Sequence, residues 1–411
     1  MTRKLTLKLA AALLMAAASL ASCGKDNGGS GTGGGSSKKI WPRDGLFLTK
    51  GAIDTVDFTY ALLKDKPMDF SLAALKSRPV HVVYYIPKGF DVKRMPILFS
   101  MTGAERVGAT QIDAWKPFAN KYGFIIVNPQ FLRSSDVSAK NADGTWVISY
   151  SRQNIYRSAG AYWLENDYQF GHVATSKNSP NLYPRNTWAY NIIELLFDYI
   201  CHEIDSAADG YYMFGHSAGA QFVNRMVMAF PEARIKRAVA ANPSSWAWPV
   251  LDGEIHKMND NGDYLYDADG TTPLTQLCGW PYCLKSVYTK PSELAGSFSK
   301  QLFIQIGSKD VETNSLDTSS DANATGSRRL YRARNFYKVC NEMAAANNIK
   351  CNFTYAEVTG ADHSTYRMVY GLPKGQYSSS RIGFDDLGAN SAFLLLFRGV
   401  LNEDPNDIDE D

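Results

Sequence analysis

From Val80 onward, short apolar runs of strand length alternate with stretches of helical periodicity. "VHVVYYIP" (80–87), "PILFSMTG" (96–103) and "FIIVNPQF" (124–131) read as strands. "WAYNIIELLFDYICHEI" (188–204) places apolar residues at 188, 192, 196 and 200, a helical spacing. "YYMFG" (211–215) is a short buried strand, and the apolar positions 222, 223, 226, 227 and 230 then mark one face of a helix stopped by Pro231. The alternation continues with strands 235–242 and 301–307, helix 328–348, strand 350–360 and a last helix within 390–401. Strands that are apolar on both sides and separated by helices predict a mostly parallel sheet covered on both faces, an α/β class. Two segments break the rhythm, 132–187 and 244–300, and both read as insertions over one end of that sheet.

The sharpest local feature lies between the strand at 211–215 and the helix after it: Gly215-His216-Ser217-Ala218-Gly219. A Gly-x-Ser-x-Gly pattern arises by chance in roughly one chain in ten of this length, so the pattern alone is weak. Its setting gives it weight. A serine forced into a tight strand-to-helix turn needs small neighbours two residues away, and the helix N-terminus behind it favours a developing anion. Serine needs a base, and this arrangement places an acid and then a histidine later in the chain. Only His256 and His363 follow Ser217. His363, in "VTGADHSTY" just after a strand, is favoured over His256, which sits inside an insertion. Asp310 ends the strand "QLFIQIG" in "GSKD", with Asp317 and Asp321 as alternatives on the same loop. The N–H of Ala218 and the loop Gly103-Ala104 are the candidate donors to an oxyanion.

The ends of the chain carry a different message. Arg3, Lys4 and Lys8 precede the apolar run Leu9–Leu20, which is too short to span a bilayer comfortably, and "LASC" follows. Residues 1–22 read as a signal peptide whose Leu20-Ala21-Ser22-Cys23 resembles a bacterial lipobox, with a plain secretory signal as the alternative. Lipidation of Cys23 would leave residues 23–39 as a tether; its about 16 Gly/Ser-rich residues reach on the order of 20–25 Å. The expected location is the outer membrane or cell surface, or facing the periplasm, with the membrane reached through the N-terminal lipid. The folded domain then spans 40–402, and 403–411 is an acidic tail.

Oxidising surroundings suggest disulfides among the remaining cysteines, Cys278 with Cys283 and Cys340 with Cys351, leaving Cys201 as a buried thiol. No histidine pair has ligand spacing, so no metal is expected. The stretch "NDNGDYLYDADG" (259–270) is rich in oxygen ligands but lacks the glycine and closing glutamate of a calcium loop, and a hairpin with polar turns fits it better. A formal net charge of +2 without a basic block excludes nucleic acid as an obvious partner.

Taken with "PILFSMTGA", "GHSAGA", "ANPSSWAWP", "RRLYRARNFY" and "GADHS", the chain over 78–400 resembles the α/β-hydrolases. More narrowly, it is similar to the secreted polyhydroxybutyrate-depolymerase-like and feruloyl-esterase-like hydrolases. The resemblance implies Ser217 as nucleophile, Asp310 as acid, His363 as base, a carboxylic-ester substrate and no cofactor. It departs from the family at Thr102-Gly103, where His-Gly is usual, and in the insertion 249–300. Trp246 and Trp248 follow the strand next to the serine turn, so they are candidates for stacking on a sugar or phenolic group, against the plainer role of packing the insertions. A glycan-binding protein without catalysis and a serine peptidase are the competing functions.

Overall fold

The computed structural model describes residues 80–106, 109–131 and 165–402, together with short strands at 46–48, 68–72, 137–140, 146–150 and 153–157. The signal peptide 1–22, Cys23, the tether 23–39 and the acidic tail 403–411 lie outside the described residues. In chain order the strands are β1 (Leu46–Leu48), β2 (Met68–Leu72), β3 (Val80–Tyr85), β4 (Ile97–Met101), β5 (Ile125–Gln130), β6 (Val137–Lys140), β7 (Trp146–Tyr150), β8 (Gln153–Arg157), β9 (Tyr211–His216), β10 (Ile235–Ala241), β11 (Glu254–His256), β12 (Thr275–Leu277), β13 (Leu302–Gly307) and β14 (Thr354–Val358). The helices are α1 (Ala109–Tyr122), α2 (Glu165–Tyr168), α3 (Tyr190–Glu203), α4 (Ala218–Ala229), α5 (Leu294–Phe298), α6 (Ser320–Asn323), α7 (Arg329–Ala346), α8 (Thr365–Tyr370) and α9 (Ala392–Phe397).

Nine strands form the central sheet in the order β1-β2-β3-β5-β4-β9-β10-β13-β14. From β5 to β14 every pairing is parallel, while β1, β2 and β3 join antiparallel at one side. The expectation of a mostly parallel sheet therefore holds. Side-chain alternation along each strand feeds two separate cores. On β9, Tyr211 and Met213 point into one and Tyr212 and Phe214 into the other; on β10, Ala238 and Ala240 oppose Val239 and Ala241. α3, α4 and α7 cover the first face through residues such as Leu196, Phe222 and Phe336. α1, α8 and α9 cover the second, where Trp115 meets Phe214 and Phe397 edge-on.

Both insertions contain structure of their own. β6, β7 and β8 form a small antiparallel sheet within 132–187, and β11 pairs with β12 within 244–300. The oxygen-rich stretch 259–270 is a hairpin with isolated pairings Met258–Tyr264 and Tyr266–Pro273. Its Asn259 Oδ1 accepts from the backbone N–H groups of Asn261 and Asp263, both at 2.9 Å, the pattern of a polar turn. No described helix is long and apolar enough to cross a membrane.

Candidate active site

The turn between β9 and α4 has the geometry its sequence demands. Ser217 stands at φ 57°, ψ −116°, a backbone conformation that L-residues avoid and that costs on the order of 1–3 kcal/mol. A Cβ on Gly215 would lie 2.2 Å from the carbonyl oxygen of Gly219, and one on Gly219 would lie 2.4 Å from that of Met101. Those neighbours are backbone atoms that cannot swing aside, so the two glycines let β9, the first turn of α4 and the end of β4 meet at this point. All of α4 is buried, and Ser217 sits at its N-cap, so the positive end of the helix is directed at the serine.

The ends of β13 and β14 bring an acid and a base together. Asp310 Oδ2 lies 2.8 Å from His363 Nδ1; the acid is fully buried and the imidazole is 27% exposed. A carboxylate accepting from Nδ1–H favours the tautomer whose Nε2 carries no hydrogen and can act as a base. His363 is also beside the serine turn: its ring centre is 4.6 Å from that of His216, the residue before Ser217. Burial first, then His363 and Arg329, hold His216 well below the usual histidine range, so His216 is neutral. The Ser217 hydroxyl makes no hydrogen bond among the described residues, and the serine–histidine link is the one contact of the set left unmade.

Asp310 has a second partner. Its Oδ1 lies 3.4 Å from Arg329 Nη1, and both side chains are fully buried. The same guanidinium donates to the carbonyls of Glu312 at 3.1 Å and Asn314 at 2.7 Å, tying the acid's loop to the start of α7. Asn242, at the end of β10 with φ 55°, accepts from Gly307 N–H at 2.9 Å and donates to Asp362 O at 3.2 Å. Neither residue stood out in the sequence.

The alternatives are placed elsewhere. Asp317 accepts from Tyr282 OH at 2.8 Å and caps Ser319 N–H at 3.0 Å; Asp321 binds Asn178 and Gln276. His256 lies in β11 with its ring against Tyr264. The loop after β4 lies close to the serine. A Cβ on Gly103 would lie 3.9 Å from that of Ser217, Ala104 is exposed, and Ala218 follows the serine directly at the start of α4.

Two expectations need correction. Trp246 and Trp248 present almost no surface to a substrate: they are 1% and 2% exposed, and Trp246 stacks on Phe336 of α7 at 4.5 Å. α7 covers them, so they pack the loop after β10 into the core instead of meeting a substrate. Trp248 instead borders a separate cavity of about 520 Å³, lined also by Ile255, His256, Tyr264, Val339 and Met343 and by none of Ser217, Asp310 or His363. The five described cysteines are free thiols, so neither Cys278–Cys283 nor Cys340–Cys351 is a disulfide. Cys278 and Cys283 are nevertheless neighbours: their interaction, and then burial, raises the Cys278 thiol, while the same interaction lowers that of Cys283 against the upward pull of burial. Cys201 is half-buried on α3, and burial pushes its thiol up to about 11. Among the described residues no cluster of His, Cys, Asp or Glu is arranged to hold a metal.

No protein-family model matches the chain, and no curated protein matches it. Solved structures do. Poly(aspartic acid) hydrolase-1 from Sphingomonas sp. KT-1 is 26% identical, with a TM-score of 0.56 over 72% of this chain and 93% of that one. A poly(3-hydroxybutyrate) depolymerase from Bordetella parapertussis is 22% identical, with a TM-score of 0.56 over 74% of this chain and 86% of that one.

Proposed function

We propose that this chain, an α/β-hydrolase of the esterase-like family and an enzyme of the serine-hydrolase type, cleaves carboxylic esters through an acyl-enzyme on Ser217. The observation that carries the reading is the Asp310–His363 pair, 2.8 Å apart with the acid fully buried, beside a serine held at a strained positive φ. In this reading His363 Nε2 takes the proton of Ser217 Oγ as the oxygen attacks the ester carbonyl. Asp310 accepts from Nδ1–H, keeps that tautomer and stabilises the imidazolium. The carbonyl oxygen becomes an oxyanion, which the N–H of Ala218 and the Gly103–Ala104 loop receive. Collapse of the tetrahedral intermediate breaks the C–O bond, and His363 gives its proton to the departing alkoxide. Water then repeats the sequence on the acyl-serine and releases the acid. No cofactor enters.

The substrates proposed are acyl or feruloyl esters of polysaccharide, or related extracellular esters. One observation favours a second reading: the structure at 26% identity is named for hydrolysis of poly(aspartic acid), an amide polymer. The same triad attacks either bond. The test is a panel of p-nitrophenyl esters, methyl ferulate, acetylated xylan, poly(3-hydroxybutyrate) and poly(aspartic acid), run with wild type and Ser217→Ala. Ester turnover that disappears in Ser217→Ala supports the proposal; equal rates in the two proteins sink it. Attachment to the outer membrane or cell surface through lipid on Cys23 belongs to the same proposal. Metabolic labelling with a palmitate analogue should mark the wild type and leave Cys23→Ala unmarked.

A further inference from the structure

Tyr168 ends the short helix α2, far in sequence from both the serine turn and the loop after β4. Its hydroxyl donates to the carbonyl oxygen of Thr102 at 2.6 Å. The ring is completely buried, stacked on Phe131 at 4.9 Å and on Phe222 at 5.5 Å, and Phe222 belongs to α4, the helix that carries Ser217 at its start. On the ring's other contact, the guanidinium of Arg106 lies 4.8 Å from its centre. Arg106 in turn donates its backbone N–H to the carbonyl of Gly103 at 3.0 Å and a side-chain N–H to Phe131 O at 2.9 Å.

These bonds fall on two successive peptide planes. In a trans peptide the C=O and the following N–H point in opposite directions. Holding the carbonyl of Thr102 therefore aims the N–H of Gly103, and holding the carbonyl of Gly103 aims the N–H of Ala104. The carbonyl of Thr102 is held by Tyr168 directly and that of Gly103 by the backbone N–H of Arg106, whose guanidinium rests on Tyr168. A Cβ on Gly103 would lie 3.8 Å from the carbonyl oxygen of His216 and 3.9 Å from the Cβ of Ser217, so this peptide lies beside the serine turn. A donor to a peptide carbonyl also polarises the amide and strengthens its N–H as a donor. Burial pushes the Tyr168 hydroxyl upward, so it remains a donor at every working pH.

We propose that Tyr168 is a positioning residue for catalysis: by holding the Thr102 carbonyl it aims and polarises the backbone N–H groups of Gly103–Ala104 at the oxyanion formed on Ser217 attack. The proposal rests on the ester-hydrolase reading above. It identifies what orders the loop in a chain that has Thr102-Gly103 at this point, and it gives the segment 165–170 a part in the chemistry.

The experiment compares wild type, Tyr168→Phe and Ser217→Ala on p-nitrophenyl acetate, with folded protein measured by circular dichroism. An alkylboronic acid, whose serine adduct is tetrahedral and anionic, serves as probe of the oxyanion site. Outright loss of an oxyanion donor costs about 10²–10³ in kcat, and misdirecting one should cost about tenfold or more. The expected result is that kcat and kcat/KM fall together, with KM near the wild-type value and the boronate weakened by a similar factor. Replacing Tyr168 with 3-fluorotyrosine keeps ring and donor and should keep kcat within about twofold of wild type. The proposal is overturned if Tyr168→Phe, folded, keeps its kcat, if kcat falls while boronate affinity does not, or if the 3-fluorotyrosine protein loses as much as Tyr168→Phe. Wild-type turnover by Ser217→Ala would bring down the ester-hydrolase reading itself. An inactive Ser217→Ala beside an unimpaired Tyr168→Phe would remove only the role of Tyr168.

Discussion

Replacing Arg329 with Met tests how the acid of the site is held. The two charges are 3.4 Å apart with both side chains fully buried. At an effective dielectric of about 20 their attraction is ~5 kcal/mol before desolvation is counted. Much of that is offset by the cost of bringing both groups out of water, so the pair adds little net stability over an apolar replacement of both. Removing one partner is different. Asp310 would keep only its bond from His363, and the carbonyls of Glu312 and Asn314 would each lose a donor. A loss of about 3–5 kcal/mol is expected, a large share of the ~5–15 kcal/mol that stabilises a typical domain. Urea unfolding at pH 7, followed by circular dichroism, measures it for wild type, Arg329→Met, Asp310→Asn and the double variant. The Arg329→Met penalty should shrink by at least about 1 kcal/mol when Asp310 is already neutral, because neighbouring charges couple. A loss below about 1 kcal/mol in the single variant, or the same loss in both backgrounds, would refute the view that Arg329 compensates the Asp310 charge.

Gly215→Ala puts a methyl group 2.2 Å from a backbone carbonyl oxygen, so it should lower the melting temperature and abolish fluorophosphonate labelling of Ser217; normal labelling would contradict the packing of the turn. His216 is neutral when folded because its pKa is held down, whereas the unfolded chain takes up a proton near pH 6.5. Wild-type stability should therefore fall below roughly pH 6.5 with a contribution of ~1.4 kcal/mol per pH unit that His216→Asn removes, read from urea midpoints at pH 7 and pH 5. Trp246→Ala should cost about 3–5 kcal/mol of stability and leave KM for small esters unchanged, since Trp246 is core; a raised KM in folded protein would return it to the substrate site.

What could be read from the sequence was what adjacent residues decide. The serine turn is written within a few positions, and strand, glycine and helix all agree there. Asp310 and His363 were legible because each immediately follows a strand, and parallel strands present their ends on the same side. For the tryptophans the sequence left substrate stacking and core packing both open, because their surroundings are set at a distance: Trp246 is closed over by Phe336 on α7. α1 was not seen at all, since "ATQIDAWKPFANKY" mixes polar residues with an internal Pro117 and becomes a helix only against the core built by Phe214, Phe393 and Phe397. Tyr168 had no pattern to find, because its partner Thr102 is 66 residues away. The cysteine pairing rested on compartment, and proximity in the fold is a weaker condition than a bond.

Asn242 has a mechanical consequence. β10 contributes no reacting group, yet it lies between β9, which leads to Ser217, and β13, which leads to Asp310. Its last side chain clasps the end of β13 with one atom and the loop leading to His363 with another. The span between nucleophile and base is thereby set by a strand that stands apart from the chemistry. Loops above the sheet can lengthen, shorten or change composition, and the gauge of the machinery beneath them stays the same. Diversification of what enters the site is decoupled from the tolerances of the reaction, and one amide side chain is the clamp that keeps the two apart.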